Sequence, residues 1–304
     1  MKVAWFSAGC SSLVAAMLSD PDECIYIHVA DQHPDTLRFV RDASRVLGKI
    51  EVLRSQDFSD VHDVLTRVRY VNGPSGAACT LRLKKWVRQE WEKEHWGRHT
   101  YVWGYDVEER ARAERTIASM PEFDHEFPLI EHGLTKADCH AMCDDIGIRR
   151  PAMYDLGYPN NNCIGCVKGG MGYWNKIRED FPEVFAQRAK DEREVGHSCI
   201  KGVFLDELEP GRGVNNPVVP DCSLACALAE SQMHDAYRPT FYTISFEGGG
   251  QAWTRWTPRR CRTHPWRRCS TSPTTPTAPR TSSAGASYAD SATRDTAGGG
   301  GCAS

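Results

Sequence analysis

The feature that most constrains this chain is the alternation of short apolar runs with helix-spaced segments through its first 150 residues. Runs at 2–7, 24–29, 50–53, 100–103 and 127–130 read as strands. Segments at 12–18, 34–47, 61–68, 80–96, 106–119 and 135–146 read as helices. Strands that are apolar on both sides need cover on both faces. Interleaved with helices, they predict an α/β fold: a mostly parallel sheet of five or six strands with helices on both faces. Ligands of such sheets bind beyond the carboxyl ends of the strands. The first position of that kind is Ser7-Ala8-Gly9-Cys10-Ser11-Ser12. Small residues let the backbone approach an anion, amides opening the next helix point at it, and the serine hydroxyls add donors. The same residues would also make an ordinary strand–helix turn. No Gly-Lys-Ser/Thr follows, so this is not a Walker loop.

Beyond residue 150 the pattern changes. Residues 151–246 are rich in Gly, Asn, Pro and Cys, with one helical island at 171–194, and read as a Cys-rich accessory subdomain. Residues 251–304 contain no Leu, Ile, Val, Met, Phe, Lys or Glu. Such a segment buries too little apolar surface to offset its ordering entropy, so 247–304 is expected to be a disordered tail. That tail takes eight Arg and only two acids, which leaves residues 1–250 with a net charge of −9. An acidic body argues against broad nucleic-acid coating. No apolar run reaches the roughly 20 residues of a membrane helix, so no membrane partner is expected. The N-terminus enters a strand pattern directly, without a signal peptide's apolar stretch, and implies a cytoplasmic protein. In a reducing compartment, close pairs among the 13 cysteines point to metal or redox chemistry rather than to disulfides.

Four segments together carry a family resemblance. Residues 7–12 resemble the Ser-Gly-Gly-x-x-Ser signature of the PP-loop superfamily. That superfamily, of adenine nucleotide alpha hydrolase-like fold, includes N-type ATP pyrophosphatases and phosphoadenosine phosphosulfate (PAPS) reductases. Ala8 replaces its second-position Gly, and Ser11 stands where many ATP-cleaving members carry Asp. Asp31 and Pro34-Asp35-Thr36 resemble the Asp-Thr-Gly…Pro-Glu-Thr segment, which implies that Asp31 contacts the adenosine. Cys79-Thr80-Leu81-Arg82-Leu83-Lys84-Lys85 resembles the Cys-x-x-(Arg)-Lys segment, whose cations face phosphate or sulfate. Gly104, followed by Glu109, Arg112 and Arg115, resembles the Gly-x-Arg…Glu…Arg segment, with Tyr105 and Asp106 where the first Arg would be. The resemblance implies that Ser7, Gly9, Ser11, Ser12, Asp31 and Gly104 bind the nucleotide. Arg82, Lys84, Lys85 and Arg112 would neutralise the transferring group, as charge and guanidinium geometry suit them to do. The substrate would be ATP, with Mg²⁺ as its companion, or PAPS.

The cysteines add a second constellation. Cys163-Ile164-Gly165-Cys166 is a C-x-x-C turn, and Cys222…Cys226 is a second close pair. Two pairs suit a [4Fe-4S] cluster or, alternatively, tetrathiolate Zn, with Cys79 and Cys199 as alternative ligands. A C-x-x-C alone could instead be a redox dithiol. The stretch from Pro151 through Cys166 resembles PAPS-reductase-like proteins, several of which hold a cluster. Asp221-Cys222-Ser223-Leu224 resembles the Glu-Cys-Gly-Leu-His tail of true PAPS reductases, which implies Cys222 as nucleophile; a ligand role stays equally open. Cys10, Cys24, Cys139 and Cys143 read as ordinary buried residues. Three functions follow: a PAPS-reductase-like enzyme served by a reductant protein, an ATP pyrophosphatase adenylylating a nucleic-acid base or other acceptor, or a non-catalytic nucleotide-binding module.

Overall fold

A computed structural model describes residues 1–73, 76–213, 241–245 and 252–256. The chain begins β1 (Lys2–Phe6), α1 (Cys10–Ser19), β2 (Glu23–Ile27), α2 (Asp35–Leu47), β3 (Ile50–Leu53) and α3 (Val61–Val68). A short antiparallel ribbon, β4 (Asn72–Gly73) with β5 (Gly76–Ala77), follows. Next comes one continuous helix: α4 (Ala78–Thr80), a π-helical stretch at Leu81–Lys85, and α5 (Trp86–Glu94). Then come β6 (Thr100–Val102), a 3-10 turn at Val107–Glu109, α6 (Arg110–Ser119), β7 (Asp124–Glu126), α7 (Pro128–Glu131) and α8 (Lys136–Asp145).

Five strands form one parallel sheet in the order β3-β2-β1-β6-β7. The expected α/β sheet with helices on both faces is therefore present, at five strands, in a Rossmann-like arrangement. Because side chains alternate across a strand, each face receives its own apolar set. Ala4, Phe6, Cys24, Tyr26 and Val52 pack with α1, α2 and α8 through Leu13, Val14, Phe39, Val40, Cys139 and Cys143. Val3, Trp5, Ile25, Ile27 and Leu53 face the other way, onto Val87 and Trp91 of α5. The chain builds β1 to β3 toward one edge and then crosses back to place β6 on the other side of β1. The β1–β6 boundary is thus the topological switch point, where a crevice opens by geometry alone.

Two parts of the sequence reading differ from the structure. The last sheet strand is Asp124–Glu126, not 127–130, and α7 begins at Pro128. Proline cannot donate to a ladder but fits the first turn of a helix, so the strand ends before it. An edge strand reading Asp-His-Glu carries no apolar signal. The island at 171–194 is two helices, α10 (Met171–Asp180) and α11 (Pro182–Val195), again broken at a proline.

The accessory region contains α9 (Ala152–Asp155), α10, α11 and a 3-10 turn at Leu205–Glu207. Its core, around Met153, Trp174, Ile177 and Leu205, is continuous with Val29, Val61, Leu65 and Leu83 of the sheet domain. The region therefore has a substantial apolar core, shared with α3 and the helix after β5. Beyond it, β8 (Phe241–Ser245) pairs antiparallel with β9 (Ala252–Trp256). β9 lies within the segment expected to lack order; its aromatic and threonine content suits a strand. The remainder of 247–304, and both Cys222 and Cys226, lie outside the described residues. Among the described residues no helix is long and apolar enough to cross a membrane.

Candidate functional site

The loop between β1 and α1 turns on Ala8, whose φ of 59° is left-handed. For a residue with a Cβ this conformation costs about 1 kcal/mol or more, so it persists only where neighbours enforce it. Several neighbours do. Gly9 N–H donates to Ser12 Oγ at 3.2 Å, and that hydroxyl donates to Gly9 O at 2.9 Å. Ser7 Oγ donates to the same Ser12 Oγ at 3.1 Å. The Ala8 carbonyl accepts from Asn161 Nδ2 at 2.7 Å. Ser12, expected to hold phosphate, thus braces the loop from inside. Ser7 and Ser11 border the cleft with it.

Both glycines expected at the site have a steric reason. A Cβ on Gly9 would meet the Tyr154 hydroxyl at 2.9 Å. A Cβ on Gly104 would meet Ser12 Cα at 2.5 Å and Ser12 N at 2.7 Å. Gly104 therefore lets the chain leaving β6 lie directly on the backbone that opens α1.

The crevice at the β1–β6 boundary is an open cleft of about 1020 Å³, solvent at its mouth included. It brings together Ser7, Gly9, Ser11 and Ser12 from the first loop, Lys84 from the π-helical stretch, and Gly104 and Arg112 from the segment after β6. Arg112 pairs with Glu109 and lies 4.2 Å from the Tyr105 ring centre. Lys136, at the start of α8, adds a cation and donates to Asn160 Oδ1 at 2.9 Å. Trp5, Tyr26, Trp103 and Tyr105 give the cleft aromatic walls. Gln32 fixes one wall, its Oε1 accepting from the Tyr26 hydroxyl at 2.6 Å and from Val29 N–H at 3.2 Å. His28 stands 3.3 Å from the Tyr26 hydroxyl, and burial with Arg54 nearby lowers its pKa to about 4, so it is neutral at neutral pH.

Three residues expected in the cleft lie elsewhere. Asp31 turns toward the accessory region, accepting from Val61 N–H at 2.8 Å and from Arg188 Nη2 at 3.2 Å. Burial pushes its carboxyl up, with Arg188 opposing. Its role is to join β2 to α3 and α11. Arg82 lies over the Trp86 ring, 3.7 Å from its centre and one turn on, because residues one or two apart on a helix, as Arg82 and Lys84 are, do not share a face. Lys85, next to Lys84, does not border the cleft for the same reason. Lys136, Asn160, Asn161, Asn162 and Tyr154 border it without having been anticipated. Tyr154, Asn160, Asn161 and Asn162 stood within the 151–166 stretch that the family resemblance marked, without being singled out; Lys136, on α8, is brought in by the fold alone.

A second, smaller cavity of about 310 Å³ lies behind Lys84, bordered by Cys79, Cys163, Cys166, Val29, Val61 and Leu83. Gly165 makes the C-x-x-C turn with φ 69°, and a Cβ there would meet Val184 Cγ1 at 2.6 Å. The turn is held by Tyr173, whose hydroxyl accepts from Cys166 N–H at 2.9 Å and donates to Cys163 O at 3.1 Å. Cys199 packs in the same core; its N–H donates to the buried Glu192 carboxylate, and burial pushes its thiol up. Among the described residues no three or more His, Cys, Asp or Glu are arranged to hold a metal ion. The pairing of Cys163 and Cys166 with Cys222 and Cys226 lies outside the described residues. Within them, the partners gathered around the C-x-x-C turn are Cys79 and Cys199. Cys10, Cys24, Cys139 and Cys143 are buried, as expected.

Comparison with protein-family models, with curated proteins and with solved structures finds no match. What fold and site define is a class: a parallel α/β protein whose switch-point cleft is lined by a helix N-terminus, serine hydroxyls and three cations.

Proposed function

We propose that this chain is a PAPS reductase-like enzyme of the PP-loop superfamily, which binds an adenine nucleotide at the β1–β6 cleft and cleaves next to its α-phosphate or sulfate. One observation carries the reading: a single cleft holds Ser7, Gly9, Ser11, Lys84, Gly104 and Arg112, from three separate segments that resemble that superfamily. A nucleotide anhydride needs an anion cradle, cations at the bond that breaks, and a flat apolar surface for the base. The loop at 7–12, the Lys84–Arg112–Lys136 group and the aromatic walls have these characters. Lys84, Arg112 and Lys136 would neutralise charge developing on the departing phosphate or sulfate, at a fixed cost already met by the fold. The loop has no carboxylate, and the bordering acid, Glu109, is paired with Arg112. That donor set favours a phosphosulfate held by cations over a Mg²⁺-bridged triphosphate.

The C-x-x-C turn at the second cavity is what supports a cysteine-held metal site. Cys163 and Cys166, with further thiols from outside the described residues, would hold a [4Fe-4S] cluster or Zn²⁺, which would supply redox or structural chemistry next to the nucleotide. Lys84 borders both cavities. Cys222 as the sulfur nucleophile, and a reductant protein as its partner, complete the sequence-based proposal.

The test is titration of the full chain with ATP and with PAPS, followed by product analysis with a dithiol reductant. Sulfite from PAPS supports the reading. Pyrophosphate from ATP alone, or tight binding without turnover, would replace it with the pyrophosphatase or the binding module. Absence of binding to either nucleotide refutes it.

A further inference from the structure

Asn161 links the accessory region to the phosphate loop across 153 residues of sequence. It is buried, and its side-chain amide bonds two residues. Its Nδ2 donates to Ala8 O at 2.7 Å and reaches Thr36 Oγ1 at 3.2 Å, and the Thr36 hydroxyl lies 3.3 Å from its Oδ1. The segment that carries it is fixed beyond it: Ile164 N–H donates to Asp31 O at 2.8 Å, and Cys163 pairs with Gln32. The amide is therefore oriented by α2 and by the β2 edge, not by the loop it touches.

The bond it makes falls where the loop is least stable by itself. Ala8 is left-handed, and the peptide that follows is pinned at both ends, its carbonyl by Asn161 and its N–H by Ser12 Oγ. Without the Asn161 bond, the Ala8 carbonyl loses its buried donor and the Ala8–Gly9 peptide can relax out of the left-handed region. The amides that open α1 move with it. An anion site built from backbone N–H groups depends on those groups being aimed before the ligand arrives.

We propose that Asn161 is the positioning residue of the phosphate loop, holding the Ala8 carbonyl so that the α1 amides are fixed toward the cleft. This rests on the nucleotide reading above and goes beyond it by separating phosphate from base recognition. Loss of Asn161 weakens the grip on the anionic part of the ligand and leaves the nucleoside part untouched.

The experiment compares the wild-type chain with Asn161→Ala, measuring affinity for PAPS, ATP, inorganic pyrophosphate and adenosine, with thermal unfolding alongside. The expected result is about a tenfold loss for pyrophosphate and for whichever nucleotide the wild type binds, the scale of one well-placed hydrogen bond, with adenosine affinity unchanged. Thr36→Val keeps the Ala8 bond but frees the other side of the amide; it should show a smaller loss with the same selectivity, and it decides the matter if Asn161→Ala does not fold. A parallel fall for adenosine and pyrophosphate, or no fall for either, overturns the proposal. A wild-type chain that binds pyrophosphate but no adenine nucleotide overturns the nucleotide reading alone, and the variants are then judged on pyrophosphate. Binding of neither overturns both.

Discussion

Replacing Gly104 with alanine tests how the cleft is built. The added Cβ would lie 2.5 Å from Ser12 Cα, 2.7 Å from Ser12 N and 3.0 Å from Ser11 C. Carbon atoms in contact sit roughly 3.5–4.0 Å apart, so relief needs a displacement of about 1 Å. All three atoms are backbone, so no side chain can swing aside; the start of α1 or the end of β6 must move. Overpacking of this kind costs typically 1–3 kcal/mol, and a clash with backbone alone belongs at about 3 kcal/mol. For a domain of this size that lowers the melting temperature by roughly 6–12 °C. The same displacement shifts the amides facing the cleft, so nucleotide affinity should fall by much more than stability alone explains. Gly9→Ala is the internal control. Its Cβ meets the Tyr154 hydroxyl at 2.9 Å, the far end of a side chain that can turn away, and the cost should stay near about 1 kcal/mol. Thermal and urea unfolding with parallel nucleotide titration measure both. Equal stability of the two variants, or wild-type stability and affinity in Gly104→Ala, would refute the packing argument.

Other outcomes follow from the same geometry. Arg188→Met leaves Asp31 and Asp191 buried without the cation that bonds both, at 3.2 and 2.9 Å, and should cost about 3–5 kcal/mol in urea unfolding. Lys84→Ala and Lys136→Ala should each weaken nucleotide binding about tenfold or more, the weight of a charge-assisted hydrogen bond, with melting temperatures close to wild type. Arg38, with Ala152 N–H and Arg149, holds the Asp35 carboxyl down at about 2. A depressed carboxylate stabilises the fold above its unfolded value and loses that contribution as pH falls, here from about 3.8 through about 2. Asp35→Asn should therefore be less stable at neutral pH and show a flatter acid limb across that window in pH-dependent unfolding. Anaerobically purified protein should carry iron and sulfide or stoichiometric zinc, lost in Cys163→Ser and Cys166→Ser; wild-type protein without metal would sink the cysteine-site proposal.

Sequence by itself determined the α/β class, the parallel sheet and the position of the first loop. These rest on local periodicity, and Ile50–Leu53 and Val61–Val68 fall where that periodicity puts them. It did not determine the fifth strand, because Asp124–Glu126 is held by pairing with β6 rather than by apolar pattern. Nor could it sort the cations: Arg82, Lys84 and Lys85 look alike in sequence, and only the helix path sends Lys84 into the cleft and Arg82 onto Trp86. Asp31 has the motif position of a ligand residue, yet a buried arginine 157 residues away claims it. The small residues of the loop were legible, but the reason for Gly104 was not, because it depends on two backbones meeting. Tertiary structure alone decided which groups converge, since convergence is set by long-range contacts that leave no local trace. Asn161 holding the Ala8 carbonyl is the clearest case.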